Sequence, residues 1–266
     1  MAQLAEAATQ VKATLNFAVD RSGGNVFSNY QPELRNQTLQ AHAVELQDIR
    51  RMAVPPSLDR EGFELHRLPV ENPDWTDEAW LKDVYTPQAL DLVRRLVGGD
   101  LVTTYPRNML IRDTADERRA PAAGFVHLDR THETCRGIVG LDDPEIWGKF
   151  GRVRIFNVWR VLTPPPQDVP LALSDQRTVK KSDLVAGRSI EPNVPIKIEY
   201  LMSLYDPDTA WYYAPDMGLD EVLVFKGYDS DDDEPMGCLH GAFRHPDVAG
   251  ATPRASFEFR AYVFDR

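Results

Sequence analysis

A mainly β protein of the jelly-roll kind with flanking helices is the fold the sequence predicts, and three observations lead to it. After Gly99 the chain breaks into eight short β-rich runs separated by turn residues. The longest helix is expected over 77–97, the segment that sustains helical spacing. The length of 266 residues, 42% hydrophobic and 27% charged, suits one domain of the larger all-β type with enough apolar residues for a sizeable core. Eight runs fit a jelly roll, but sandwiches share the pattern, so composition and periodicity by themselves stop at mostly β.

Taken in order, residues 1–70 read as an irregular wrap: a strand candidate at Ala13–Val19, a polar, glycine-rich link at Asp20–Asn25, then polar chain to Pro55-Pro56. From Asp77 to Val97, Trp80, Val84, Leu90, Val93 and Val97 recur at helical intervals. Thr76 and Asp77 suit the start and Gly98-Gly99 the stop, and Pro87 kinks or splits the helix. The β-rich runs follow at Leu101–Tyr105, Ala123–Asp129, Val153–Leu162, Leu171–Leu173, Ile196–Tyr205, Glu221–Tyr228, Gly237–Phe243 and Ala255–Phe264. Residues 99–266 thus form the core of a single domain spanning 1–266.

The formal net charge of -11 lacks the basic footprint of a nucleic-acid binder. No stretch approaches the ~18 apolar residues of a membrane helix, and Met1–Val19 has no continuous apolar core, so a cytoplasmic protein with no membrane partner is expected. Cys135 and Cys238 are too few for a disulfide framework and wrongly spaced for a zinc cluster; two reduced core thiols are the expectation. The acidic run Asp229–Glu234 reads as a solvated loop, without the glycine turn and spaced carboxylates of a calcium loop.

The chemistry lies elsewhere. In Gly124-Phe-Val-His-Leu-Asp129, His127 and Asp129 are two apart at a strand end, so both side chains leave one face and can converge on one ion. With one remote histidine, such a pair makes the facial triad that leaves three positions open on iron(II). His-x-Asp alone is weak, since a strand-end ion pair reads the same way. His240 is the candidate third ligand, followed after a proline-containing loop by Pro253-Arg-Ala-Ser256. Arg254 offers a rigid fork for a carboxylate and Ser256, on the same face, a further hydrogen bond. Read as a strand alone, 254–260 would simply put Arg254, Ser256, Glu258 and Arg260 on a wet face and Phe257 and Phe259 in the core. Order and spacing together favour the site.

These residues, with Ala13-Thr-Leu-Asn-Phe17, Gly62-Phe-Glu-Leu65, Phe156-Asn-Val-Trp-Arg160, Pro170–Asp175, Trp211–Met217, Asp220–Phe225 and His240-Gly-Ala-Phe243, resemble the fungal and bacterial hydroxylase/desaturase family of non-haem iron 2-oxoglutarate oxygenases. That family includes gibberellin desaturase, the cephalosporin methoxylation component and aziridine-forming amino-acid oxygenases. The resemblance runs from about Ala13 to the end. It implies a double-stranded β-helix, iron(II) and 2-oxoglutarate as cofactors, O2 and a small-molecule substrate as reaction partners, and hydroxylation, desaturation or cyclisation in secondary metabolism. Two departures stand out: Val161 follows Arg160 where the family has proline, and the text between Asp20 and Arg60 is poorly kept.

Within the Asn157-Val-Trp-Arg160 motif, Asn157 and Trp159 share one strand face and Arg160 points to the other. Asn157 and Trp159 are substrate-pocket candidates against plain sheet packing, and Arg160 a rival to Arg254 for a carboxylate. Tyr212 and Tyr213 are pocket candidates against plain packing. His132, placed in a loop, could support a metal histidine. Two alternatives remain open: an iron oxygenase that works without 2-oxoglutarate, and a small-molecule-binding jelly roll without catalysis.

Overall fold

Burial alternates along β1 (Gln10–Ala18), with Ala13, Leu15 and Phe17 turned inward, as a strand with one covered face requires. The computed structural model describes residues 10–29, 31–105, 109–116, 119–190, 197–231, 236–246, 248 and 250–266. β2 (Val26–Phe27), β3 (Leu39–Asp48) and β4 (Phe63–Arg67) follow. After the helical segment come β5 (Leu101–Thr103), β6 (Met109–Asp113) and β7 (His127–Leu128). Helix α3 (His132–Asp142) leads to β8 (Arg152–Val161), β9 (Leu171–Ser174), β10 (Leu184–Ser189) and β11 (Ile198–Ser203). The chain closes with β12 (Trp211–Tyr213), β13 (Glu221–Asp229), β14 (His240–Ala242) and β15 (Ala255–Asp265).

Among the described residues these strands form two sheets. The larger has the order β1-β3-β12-β9-β14-β7-β11-β10-β2, and the smaller β4-β13-β8-β15-β5, with β6 also on β15. The larger sheet curls until β1 meets it again, through a bridge from Ala18 to Leu204 and a hydrogen bond from the Val126 N–H to Asn16 O. The two curled, mostly antiparallel sheets make a double-stranded β-helix, the jelly roll expected.

Each of the eight expected runs contains a strand, though Ala123–Asp129 contributes only His127–Leu128. Upstream of it the backbone bonds irregularly to two neighbours, Val126 N–H to β1 and Ala123 O to the Ala242 N–H. The expected irregular wrap at 1–70 is corrected: β1 and β3 pair over nine residue pairs, β2 joins the larger sheet and β4 the smaller. β3, with the text LQAHAVELQD, has few β-branched residues and is exposed along its first half, so its sheet partners rather than its composition make it a strand.

The helix starts at Asp77, whose side chain accepts from the Ala79 and Trp80 N–H groups, and ends at Gly98 (φ 64). It is broken just ahead of Pro87. Between α1 (Glu78–Trp80) and α2 (Thr86–Val97), Leu81–Tyr85 form a π-turn in which the Thr86 N–H reaches Leu81 O. Proline has no N–H for the ordinary i−4 bond and its ring crowds that carbonyl; the wider turn relieves both. Tyr85, Ala89, Leu92 and Val93 press this helix onto the outer face of the smaller sheet, against Phe156, Val158, Phe257 and Phe259. The inner face of that sheet, carrying Asn157, Trp159, Ser256, Glu258 and Arg260 on the alternate positions, looks toward the larger sheet.

Cys135 and Cys238 are free and buried. The acidic run is only partly as expected: Asp229 is buried and paired with Arg152 (2.6 Å) and Lys226 (3.5 Å), while residues 232–234 lie outside the described residues. Among the described residues no helix is long and apolar enough to cross a membrane.

Candidate metal centre and anion clamp

Two strands of the larger sheet bring the histidines together. His127 on β7 and His240 on β14 are directly opposed cross-strand partners, with ring centroids 4.3 Å apart. The His127 Nδ1 lies 2.9 Å from Phe125 O and the His240 Nδ1 3.2 Å from Cys238 O. A carbonyl only accepts, so Nδ1 carries the proton in each ring and Nε2 keeps its lone pair for a cation. Asp129, just past the end of β7 and on the face of His127, puts Oδ1 3.9 Å from both Nε2 atoms. The three ligand atoms all lie within 4.8 Å of one another.

The smaller sheet holds the carboxylate from the other side. Arg260 Nη2 donates to Asp129 Oδ1 (2.5 Å) and Asn157 Nδ2 to Oδ2 (2.6 Å). Burial alone would raise the Asp129 pKa; the Arg260 guanidinium and the two imidazoles outweigh it and hold the carboxyl well below the ordinary range. For His127, burial and then the neighbouring His240 pull the imidazole down to about 3, so it is neutral and ready to ligate near pH 7.

A narrow cavity of about 20 Å3 extends from the imidazoles to Arg254, enclosed also by Arg112, Trp159, Ala242 and Glu258. Arg254 is 1% exposed, with its guanidinium 5.4 Å from the Trp159 ring. Its Nη1 donates to Val169 O (2.7 Å), while its Nε is buried without a partner. Among the described residues no carboxylate pairs with it, and burial, then the charge of Arg112, lower it to about 10. A buried guanidinium held by one carbonyl, at the far end of a cavity from two imidazoles and a carboxylate, fits a diacid whose other end binds a metal. The donor set itself, two imidazole nitrogens and one carboxylate, is that of non-haem iron(II). Ser256, also buried, lies in β15 two residues on from Arg254, which directly precedes that strand.

The other sequence candidates separate. Trp159 lines the cavity, whereas Asn157 turns to Asp129 instead of a substrate. Arg160 is corrected as a carboxylate holder: it points to the opposite face of β8, stacks between Trp75 (4.9 Å) and Tyr85 (5.4 Å), and donates to the carbonyls of Leu68 and Leu219. Tyr212 packs with Phe63 and Tyr213 with Phe243, and neither lines the metal cavity. His132 begins α3 rather than sitting in a loop, and its Nδ1 meets the Tyr228 hydroxyl.

Arg260, Glu258 and Arg112 were not among the sequence candidates. They form a chain from the metal site outward: Arg260 to Asp129, Glu258 within 3.9 Å of Arg260 and 3.4 Å of Arg112. The signal for two of them was in the alternation of β15. Once Arg254 and Ser256 face the site, so must Glu258 and Arg260, and a wet face becomes a cavity wall.

The profile of the Oxidoreductase/YMDC permease-like domain family matches residues 15–264. The hydroxylase/desaturase efuI of Hormonema carpetanum is 30% identical, across 96% of this chain and 95% of its own. The Fe(II)/2-oxoglutarate-dependent dioxygenase nvfI of Aspergillus novofumigatus is 28% identical, across 84% of this chain and 83% of its own. A solved structure of the iron and alpha-ketoglutarate-dependent endoperoxidase NvfI superposes with a TM-score of 0.85 at 25% identity, covering 97% of this chain and 98% of that one. With the fold, the His-Asp-His cluster and these relatives in agreement, the chain belongs to the hydroxylase/desaturase family of iron(II)- and 2-oxoglutarate-dependent oxygenases.

Proposed function

We propose that His127, Asp129 and His240 hold iron(II), that Arg254 with Ser256 holds the distal carboxylate of 2-oxoglutarate, and that the chain oxidises a small molecule of secondary metabolism in a cytoplasmic setting. The observation that supports this most is the buried fork of Arg254, short of one partner, across a cavity from three convergent metal donors. When bound, iron(II) and 2-oxoglutarate would supply, with O2 as the oxidant, the oxidative decarboxylation of the keto acid to succinate and CO2 and the abstraction of a substrate hydrogen.

The chain's own share is placement. Asn157 and Arg260 fix both oxygens of Asp129, so that Oδ1, the oxygen nearest both imidazoles, faces the metal. The Phe125 and Cys238 carbonyls fix the imidazole tautomers. At about 20 Å3 the cavity admits little more than a water, so seating the cosubstrate requires its lining side chains to move apart.

The test is anaerobic addition of iron(II) and 2-oxoglutarate to metal-free protein, watching for the weak visible charge-transfer band of a keto-acid chelate. The expected result is a band in the wild type and, in Arg254→Ala, a 2-oxoglutarate affinity lower by about 10- to 100-fold, the weight of a charge-assisted bidentate contact. Bound iron without a band in the wild type would sink the cosubstrate assignment.

A further inference from the structure

A much larger hollow adjoins the metal cavity: a groove of about 730 Å3. The two share Ala242. In the groove wall, Pro121 and Val169 carry the carbonyls that accept from Arg112 and Arg254, each at 2.7 Å, and both arginines line the metal cavity. These two side chains therefore stand at the partition between groove and metal.

The groove is lined by Arg35, Arg119 and Arg244 against Asp113 and Asp116. Arg112 and Arg254 lie behind it, against Glu258. Among the described residues five arginines and three acids converge here, in a chain whose net charge is -11, so the local sign opposes that of the whole molecule. Asp113 is engaged locally, accepting the Ala115 N–H at 2.8 Å. Arg35 is half-buried with its guanidinium 4.8 Å above the Phe27 ring, and its Nε donates to Ser28 O (2.8 Å). Among the described residues it forms no ion pair, and burial, followed by the charge of Arg112, holds it below its ordinary value. A half-buried guanidinium beside a second one, with no acid between them, is completed by an anion. Pro32, Pro121, Ala122, Val169 and Phe243 supply apolar wall.

We propose that this groove is a binding site for a small molecule with an apolar body and a carboxylate, the carboxylate held by Arg35 and the body lying along Pro121, Ala122 and Val169. The site lies across the Arg112 and Arg254 partition from the metal cavity, so its occupant is distinct from the cosubstrate that the oxygenase reading seats there.

The probe is 11-(dansylamino)undecanoic acid, compared with its methyl ester by fluorescence titration of the protein loaded anaerobically with iron(II) and saturating 2-oxoglutarate. The acid is expected to bind at least about ten-fold more tightly than the ester, as one charged hydrogen-bonding partner warrants. Arg35→Met should bring the acid to the ester's level and leave the ester unchanged, whereas Arg35→Lys, which keeps the charge, should retain a preference. Failure of the acid to bind, equal binding of acid and ester, a preference that survives Arg35→Met, or displacement of the acid by additional 2-oxoglutarate each overturns the groove assignment. The visible chelate band, read in the same samples, reports separately on the cosubstrate reading: its absence in the wild type overturns that reading, and its presence alongside a lost acid preference overturns only the groove.

Discussion

Asp129 is the residue on which the two sheets meet. It follows a strand of the larger sheet, yet both its oxygens are held from the smaller one, by Arg260 and Asn157. Asn157→Ala should leave the fold intact and lower metal affinity by about 10- to 100-fold, the usual weight of a partner behind a ligand, as read by competitive metal titration. An unchanged affinity would mean that Arg260 alone orients the carboxylate. The thiols make a second test at this scale. Burial pushes Cys135 up to about 12 and raises Cys238 as well, so neither should react with Ellman's reagent at pH 9 until the protein unfolds. An acid whose folded pKa is raised stays protonated while the unfolded chain ionises, so stability falls as pH rises above about 9. Each thiol contributes a loss of about 1.4 kcal/mol by pH 10, measurable as a lower urea midpoint.

At the scale of elements, β14 carries the third ligand within three residues, and its middle residue decides how near it can come. A Cβ at Gly241 would sit 2.8 Å from Phe125 O, the carbonyl that also holds the His127 imidazole. Gly241→Ala should therefore push the two histidine strands apart and weaken metal binding by more than about ten-fold, on the order of the 1–3 kcal/mol that overpacking costs, with little loss of secondary structure by circular dichroism. Retained metal affinity would show that β14 can shift without separating its ligand from His127. Element type was mostly readable where local chemistry sets it: Asp77 and Gly98 bound the helix as their capping preferences require. It was not readable for β3, whose strand form depends on β1 and β12, nor for α3, where Thr131 caps a short helix whose buried Cys135 and Val139 pack against β8 and β15 residues.

Across the whole molecule, the candidate metal donors sit on or just past strands of the larger sheet and Arg254 directly precedes β15 of the smaller, so a cosubstrate that spans them ties the two sheets together. Saturation at about 100 times Kd stabilises by about 2.7 kcal/mol, which for a domain of this size is a rise of roughly 5–10 °C in Tm. Anaerobic thermal melts with iron(II) and 2-oxoglutarate together should show that rise over iron(II) alone, and Arg254→Ala should abolish the increment. A rise retained in Arg254→Ala would place the cosubstrate elsewhere. By itself the sequence determined the order and the facing of the candidate ligands, because His127 and Asp129 are neighbours on one strand face and Arg254 and Ser256 on another, and strand periodicity carries that information locally. It also determined that Asn157 and Trp159 part from Arg160. Only the tertiary structure decided what each face meets: the outer face of β8 meets the helix, which takes Arg160 out of the site, and the inner face meets Asp129, which makes Asn157 and Arg260 supports of the metal ligand. Those partners are separated from Asp129 by 28 and 131 residues, and pairing over such distances depends on how the sheets curl and stack, which no local pattern records.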